Sequence, residues 1–360
     1  MEYLKLEDCC EILDSKRIPV TANKRRNGKY PYYGANGLQD YVDDYIFDDE
    51  LVLLAEDGGN FNSKDKPIAY RVSGKCWVNN HAHVLKPKQG ISVDYLCYAL
   101  MYYDVSGLVN GATRQKLTQA TMRKMKIPIL SEIDQLRIVE IMNSIQELKN
   151  DYRSILHKLD VLIKARFIEM FGDININNKN WHTEHLGKLC NIVRGSSPRP
   201  IEKYLGGDIP WIKIGDATDE DNIYLNSTKE HIIREGVNKS RFVKKGSLIF
   251  ANCGVSLGFA RIISFDGCIH DGWLALENID YRLNKEFLLL SLNQLTDHFR
   301  IIAPSGTQPN LNIAIMQNFM QVIPPMELQE TFVSFRRHVD KSRFNIKKGI
   351  IELEREVVYD

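Results

Sequence analysis

The chain contains the same order of motifs twice. Leu6 to Ile12 resembles Leu186 to Ile192, and Tyr30-Pro31-Tyr32-Tyr33 followed by Gly34 resembles Ile209-Pro210-Trp211-Ile212 followed by Gly215. Leu51 to Gly58 lines up with Ser247 to Gly254, and Asp94-Tyr95-Leu96 with Glu286-Phe287-Leu288. Gly111 to Leu117, leading to Ile127-Pro128, parallels Gly306 to Leu311, leading to Ile323-Pro324. The offset is 180 at Cys10/Cys190, 196 at Gly58/Gly254 and 194 at Leu117/Leu311, which places an insertion in the second copy before its central strands. Solenoid units run to a few tens of residues, so a period this long means two whole domains.

Each copy reads as short β-rich segments, Glu50–Ala55, Gly246–Ala251 and Arg261–Phe265, separated by Gly, Asn and Asp turns. A short helix is expected around Val93 to Tyr102 and around Lys285 to Leu295. After Ile127-Pro128 the composition changes. Ser131, with Asp134 three residues on, is a plausible N-terminal cap, and no Gly or Pro follows until Gly172. That is a helix of about forty residues, on the order of 60 Å. Ile138, Ile141, Ile145, Leu148, Tyr152, Ile155, Leu159 and Leu162 alternate steps of three and four along it, a coiled-coil seam. After Pro324-Pro325 the pattern returns with Leu328, Phe332, Phe335, Val339, Ile346 and Leu353. Ser342 and Gly349 take intervening seam positions, where small residues let a partner helix come close.

The expected fold is therefore α+β, with two tandem domains of mixed β-structure and short helices, each followed by a long helix. The boundaries read 1–130, 131–172, 173–325 and 326–360. The two helices pair most simply as an antiparallel coiled coil with pseudo-twofold symmetry.

Net charge is +1 over 360 residues, which argues against coating nucleic acid by bulk positive charge. The charge is unevenly spread. Ser15–Gly37, Val105–Ser131 and Gly236–Phe265 hold no acid and six, five and five bases. Such runs either attract phosphates or form solvated loops. The seven cysteines are scattered, without a C-x-x-C pair, which fits a reducing cytoplasm. Neither a signal peptide nor an apolar run of membrane-spanning length is expected.

Two separated heads presented at a fixed spacing match the geometry that bipartite DNA sites mirror. The heads differ, so the half-sites are expected to differ. The candidate DNA contacts are Lys24, Arg25, Arg26, Lys29, Tyr32, Arg114, Gln115 and Lys116 in the first copy. In the second they are Arg199, Lys203, Lys213, Lys239, Arg241, Gln308 and Asn310. Arg, Lys, Gln and Asn read base edges; the alternative for the residues in the two Gly-containing turns is a turn whose polar side chains cap the next helix.

Signs of catalysis are weak. Gly254-Val255-Ser256-Leu257-Gly258 lacks the lysine of a phosphate-binding loop, and no Asn-Pro-Pro-Tyr-like methyltransferase signature occurs. His81 and His83 have no third ligand at metal spacing. Glu56-Asp57 and the group Cys253, His270 and Asp271 do not keep one chemistry across the repeat, as a duplicated active site would. Cys76 and Cys268 match across copies and read as core residues. No catalytic, cofactor-binding or metal-binding residue is expected.

The whole order (domain, Gly-containing turn ending in Leu117 or Leu311, Ile-Pro, long helix, twice over) resembles the specificity subunits of type I restriction-modification systems. Ala165 to Asp173, closing the first helix, also resembles that family's usual end to its spacer helix; the second helix has no counterpart to Phe167–Phe171 before Asp360. The resemblance implies target-recognition domains that each bind one half of a split duplex DNA sequence in the major groove. It implies helices that set the gap and dock methyltransferase subunits, and a further translocase/nuclease subunit. S-adenosylmethionine and ATP would be held by those partners. The competing reading is a duplicated coiled-coil adaptor without DNA specificity.

Overall fold

The computed structural model describes residues 2–63, 66–111, 115–218, 223–254, 256–304 and 309–359, with side chains as far as 353 in the last helix. Two compact units emerge: 1–155 with 345–360, and 156–344.

The first unit is built on a six-stranded sheet in the order Cys10–Ile12, Ala82–Pro87, Phe47–Ala55, Ala69–Val78, Asn27–Gly34, Gly37–Val42. Its central strand Phe47–Ala55 is apolar without alternation from Leu51 to Ala55 because both faces are covered there. Val52 and Leu54 enter one core with the short helix Val93–Met101, while Leu51 and Leu53 enter a second with Phe47, Val72 and Val84. The second unit repeats this device: in Leu248–Ala251, Leu248 and Phe250 face the helix Lys285–Gln294, and Ile249 and Ala251 face the opposite core. Both short helices lie within the segments expected for them.

The insertion has a concrete form. In the first unit Ala69–Val78 is one strand; in the second its counterpart is Ala260–Ile263 and Gly267–Ile269, which join a five-stranded and a four-stranded sheet. The added strands Tyr224–Leu225 and Arg241–Val243 extend those sheets. Register also corrects one sequence match. Tyr32 pairs with Trp77, and its equivalent Trp211 pairs with Cys268. Cys268 therefore corresponds to Trp77 and not to Cys76, a slip of one residue that turns a side chain to the other face of a strand.

In each unit a two-stranded ribbon closes the domain and launches a long helix: Glu2–Lys5 with Lys126–Ile129, and His182–His185 with Met320–Ile323. The first long helix spans Glu132–Phe171 and is capped as expected, the Asp134 N–H donating to Ser131 Oγ at 3.2 Å. The second spans Met326–Tyr359. Within the second unit the two run antiparallel, Asp160 meeting Arg343 at 3.1 Å and Phe167 and Phe171 packing on Phe332 at 5.3 and 5.5 Å. Within the first unit, a Cβ on Gly349 would come 3.1 Å from Tyr152, so this glycine does give the partner side chain room.

The seam is half of what the heptads suggested. Ile138, Ile145, Tyr152 and Leu159 are partly buried, but Ile141, Leu148, Ile155 and Leu162 point outward, Ile141 being 54% exposed. Met142, Lys149, Leu156 and Ile163, each one residue later, turn inward instead. In the second helix Phe332, Val339, Ile346 and Leu353 are at least half-buried, whereas Arg336 and Arg343 are buried one residue beyond the expected Phe335 and Ser342; Phe335 is half-buried against the domain core. An α-helix turns every 3.6 residues, so a strict 3.5-residue reading drifts across its surface. Arg336 is held by Asp340 at 2.9 Å, and Arg343 by Asp160 and Asp340, which satisfies the buried cations.

Candidate nucleic-acid interface

In the first unit the basic run around residue 25 divides into exposed and anchored members. Lys24, Arg26 and Lys29 are exposed. Arg25 is anchored: its guanidinium stacks 4.1 Å from the Tyr32 ring, donates to the Val20 carbonyl at 3.2 Å and pairs with Asp40 at 3.3 Å. Tyr32 is 1% exposed, and its hydroxyl bonds to Val20. The expectation that Tyr32 contacts DNA is thus corrected: its ring is buried beneath the Arg25 guanidinium and its hydroxyl is tied to Val20. Beside it runs a ladder of cations on aromatic rings. Lys29 sits 5.2 Å from the Tyr30 ring, Tyr30 lies 5.0 Å from Tyr45, and Lys75 lies 4.6 Å from Tyr45. Lys75 and Tyr45 escaped sequence reasoning because each is a lone residue beyond the basic run, brought in only by strand pairing.

The turn before Leu117 is fixed from behind by a buried network. Lys116 pairs with Glu56 at 3.0 Å, and the Leu117 N–H donates to the Glu56 carbonyl. Arg17 donates to Glu56 at 2.6 Å and lies 3.4 Å from Asp14. His83, fully buried, bonds to Asp14 at 2.7 Å through Nδ1 and to the Leu117 carbonyl at 2.9 Å through Nε2. Burial alone would raise both carboxyl pKa values, but the hydrogen bond from His83 to Asp14, and those from Arg17 and Lys116 to Glu56, hold them below their ordinary values. Asp14, Glu56 and His83 bring ligand atoms within 4.8 Å of one another, as a cation site would. Arg17 and Lys116 already supply two positive charges to the two carboxylates. Lys116 is therefore partly committed to Glu56, and Gln115 is half-buried, its carbonyl accepting from Gly58. Arg114 lies outside the described residues.

The second unit presents a different outer surface on equivalent elements. Lys213 lies 5.3 Å from the Trp211 ring and pairs with Glu230. Lys239 sits 4.9 Å over the Tyr204 ring and donates to its hydroxyl at 2.5 Å. Lys203 and Arg241 are exposed, and Arg199 reaches Asp271 at 3.4 Å. Burial works to raise the Asp271 carboxyl, but the Ser197 hydrogen bond and the positive charge around it outweigh that and hold it below its usual pKa; burial pushes the neighbouring His270 down. At the turn, Asn310 is held by Asn252 at 3.0 Å, and Gln308 lies outside the described residues. Burial pushes the thiols of Cys10, Cys76, Cys97 and Cys190 up to about 12, unsuited to nucleophilic work. Among the described residues no helix is long and apolar enough to cross a membrane.

The family model for the type I restriction modification DNA specificity domain matches residues 1–156 and again 178–355. A Haemophilus influenzae chain assigned as a type I restriction enzyme specificity subunit is 29% identical over 97% of this chain and 90% of its own length. The MjaIX specificity subunit of Methanocaldococcus jannaschii is 24% identical over 80% of this chain and 72% of its own. Among solved structures, a chain from work on complex assembly in a type I restriction-modification system superposes with TM-score 0.63 at 15% identity, covering 99% of this chain and 94% of that one. The Mycoplasma genitalium S subunit gives 0.56 at 14% identity, over 99% and 93%. With both of its copies matched by that family model, the chain belongs to the type I restriction-modification DNA specificity family, the non-catalytic recognition subunits of those systems.

Proposed function

We propose that this specificity subunit reads a bipartite, asymmetric DNA target, residues 1–130 recognising one half and residues 173–325 the other in the major groove. The observation that carries this is the pairing of sameness and difference. Equivalent strands, Asn27–Gly34 and Leu205–Ile212, carry or adjoin different cation-on-ring sets on a common scaffold. Cations over ring faces keep their positive charge presented outward for phosphates, while free Arg, Lys, Gln and Asn ends read base edges. Lys24, Arg26, Lys29, Lys75, Arg199, Lys203, Lys239 and Arg241 are the leading contacts.

The helices 131–172 and 326–360 serve as spacers. The outward Ile141, Leu148 and Ile155, seven residues apart, suit docking of methyltransferase subunits, which would hold S-adenosylmethionine; a translocase/nuclease subunit would use ATP. The assembly would act in the cytoplasm. Two measurements test the reading. Bound to its methyltransferase, the chain should bind random duplexes at low ionic strength with affinity that falls steeply in salt; salt-insensitive or absent binding refutes it. Exchanging residues 1–128 for those of another family member should alter one half-site only, and a change in both halves would remove the two-head assignment.

A further inference from the structure

Each long helix begins with a buried glutamine that the charge and heptad patterns do not single out. Gln135 is 1% exposed and Gln329 is fully buried. Gln135 Oε1 accepts from the Ser92 N–H at 2.8 Å, and its Nε2 donates to the carbonyls of Gly90 at 2.9 Å and Leu130 at 3.1 Å. Gln329 repeats the set: Oε1 accepts from the Asn284 N–H at 2.9 Å, and Nε2 donates to the carbonyls of Arg282 at 2.9 Å and Pro324 at 2.7 Å. Ser92 and Asn284 are the N-caps of the short helices packed on the two central sheets. One side chain thus bonds the first turn of a long helix to the domain body and to the link between them. The requirement is narrow. Glutamate would lack both donors, and asparagine would be a carbon too short.

We infer that Gln135 and Gln329 are positioning residues that fix the angle at which each recognition domain sits on its own helix, and so hold the gap between half-sites to one value. The inference rests on the bipartite reading above. On the outer surface and behind the Leu117 and Leu311 turns the copies differ in chemistry, yet here they keep the same residue on three equivalent backbone groups. The leverage is large: a swing of about 5° at the root of a helix about 60 Å long moves its far end by about 5 Å, more than the ~3.4 Å between successive base pairs.

The test uses the full chain co-expressed with its methyltransferase in a host lacking that methylation, with single-molecule sequencing to read the modified motif. If the unaltered chain directs methylation to no two-part motif, the bipartite reading itself fails, before the joint is tested. Given such a motif, Gln135→Met and Gln329→Met should keep both half-site sequences while accepting gaps one base pair longer or shorter. Loss of the three hydrogen bonds in either variant should lower the preference for the native gap about tenfold. Gln321→Met is the control: Gln321 is equally buried, but among the described residues its side chain bonds to Ser291 and Val322 inside its domain and to no part of the long helix. It should reduce stability and leave the gap unchanged. Unchanged gap preference in the two joint variants, or equal relaxation in the control, overturns the inference. Should the variants give no soluble complex, hydrogen exchange on the unaltered complex decides: Ser92 and Asn284 amides protected like sheet amides support the joint, and exchange at loop rates overturns it.

Discussion

The two copies make the same backbone connection with opposite chemistry. In the first, the Leu117 N–H donates to the Glu56 carbonyl and Lys116 forms a β-bridge with Asp57; in the second, the Leu311 N–H donates to the Asn252 carbonyl and Asn310 bridges Cys253. Behind this shared frame the first copy places an ionic cluster of Asp14, Arg17, Glu56, His83 and Lys116. The second places one neutral amide: Asn252 Nδ2 donates to Asn310 at 3.0 Å and lies 3.4 Å from the Leu311 carbonyl, the equivalent of the Leu117 carbonyl that His83 serves in the first copy. The frame that presents the turn is therefore what duplication preserved, and the side chains supporting it were free to diverge. Charge makes the first solution costlier to break, since an unpaired buried ion is worse than an unpaired amide.

The largest effect should come from Arg17→Met, which leaves Glu56 and Asp14 without their guanidinium. The first unit should lose about 3–5 kcal/mol, read by peptide-resolved hydrogen exchange against denaturant, while the second stays unchanged; equal loss in both would show that the copies are not independently supported. Asn252→Ala is the matching change in the second unit and should cost it about 1–3 kcal/mol. A larger penalty than that of Arg17→Met would reverse the ranking of the two supports. Acid is a gentler probe. The folded Asp14 and Glu56 carboxyls lie below their ordinary values, so their stabilisation is complete above the unfolded pKa values, about 4, and fades as pH falls through the lower folded ones. Protection of the Leu117 amide should drop in that window while that of Leu311 persists, because Asn252 does not titrate.

The contrast between copies also explains what could be read in advance. The duplication, the apolar central strands, the Ser131 cap and the long helices are local or periodic features, and periodicity survives in a bare sequence. The seam was legible only in part. In the first helix a strict heptad runs on to Ile141, Leu148, Ile155 and Leu162, whereas the 3.6-residue turn brings Met142, Lys149, Leu156 and Ile163 inward. Lys149, Arg336 and Arg343 are in addition charged, so an apolar pattern passes over them for Leu148, Phe335 and Ser342. The ionic cluster draws on residues 14, 17, 56, 83 and 116, and nothing in their spacing joins them until strands Phe47–Ala55 and Ala82–Pro87 pair. The inward place of Tyr32 is invisible in the sequence for a related reason: strand register decides which face a residue takes, and register is set by partners remote in sequence.

The smallest effects belong to the outer surface, and there the copies should behave alike despite their different residues. Lys29 in the first unit and Lys239 in the second each lie over a tyrosine ring at the surface. Among the described residues the Lys29 side chain contacts the Tyr30 ring and the Lys239 side chain the Tyr204 ring and hydroxyl, all at the surface, so Lys29→Ala and Lys239→Ala should leave the unfolding transition nearly in place. If each cation meets a phosphate, each substitution should weaken binding to specific and random duplexes alike, and lower the slope of log affinity against log salt by about 1. A loss confined to one target sequence would instead make the residue a reader of bases. Lys75→Ala extends the test to a residue that no basic run betrays: it should behave like Lys29→Ala if the Tyr30 and Tyr45 ladder faces the phosphate backbone, and unaltered affinity would turn that ladder away from DNA.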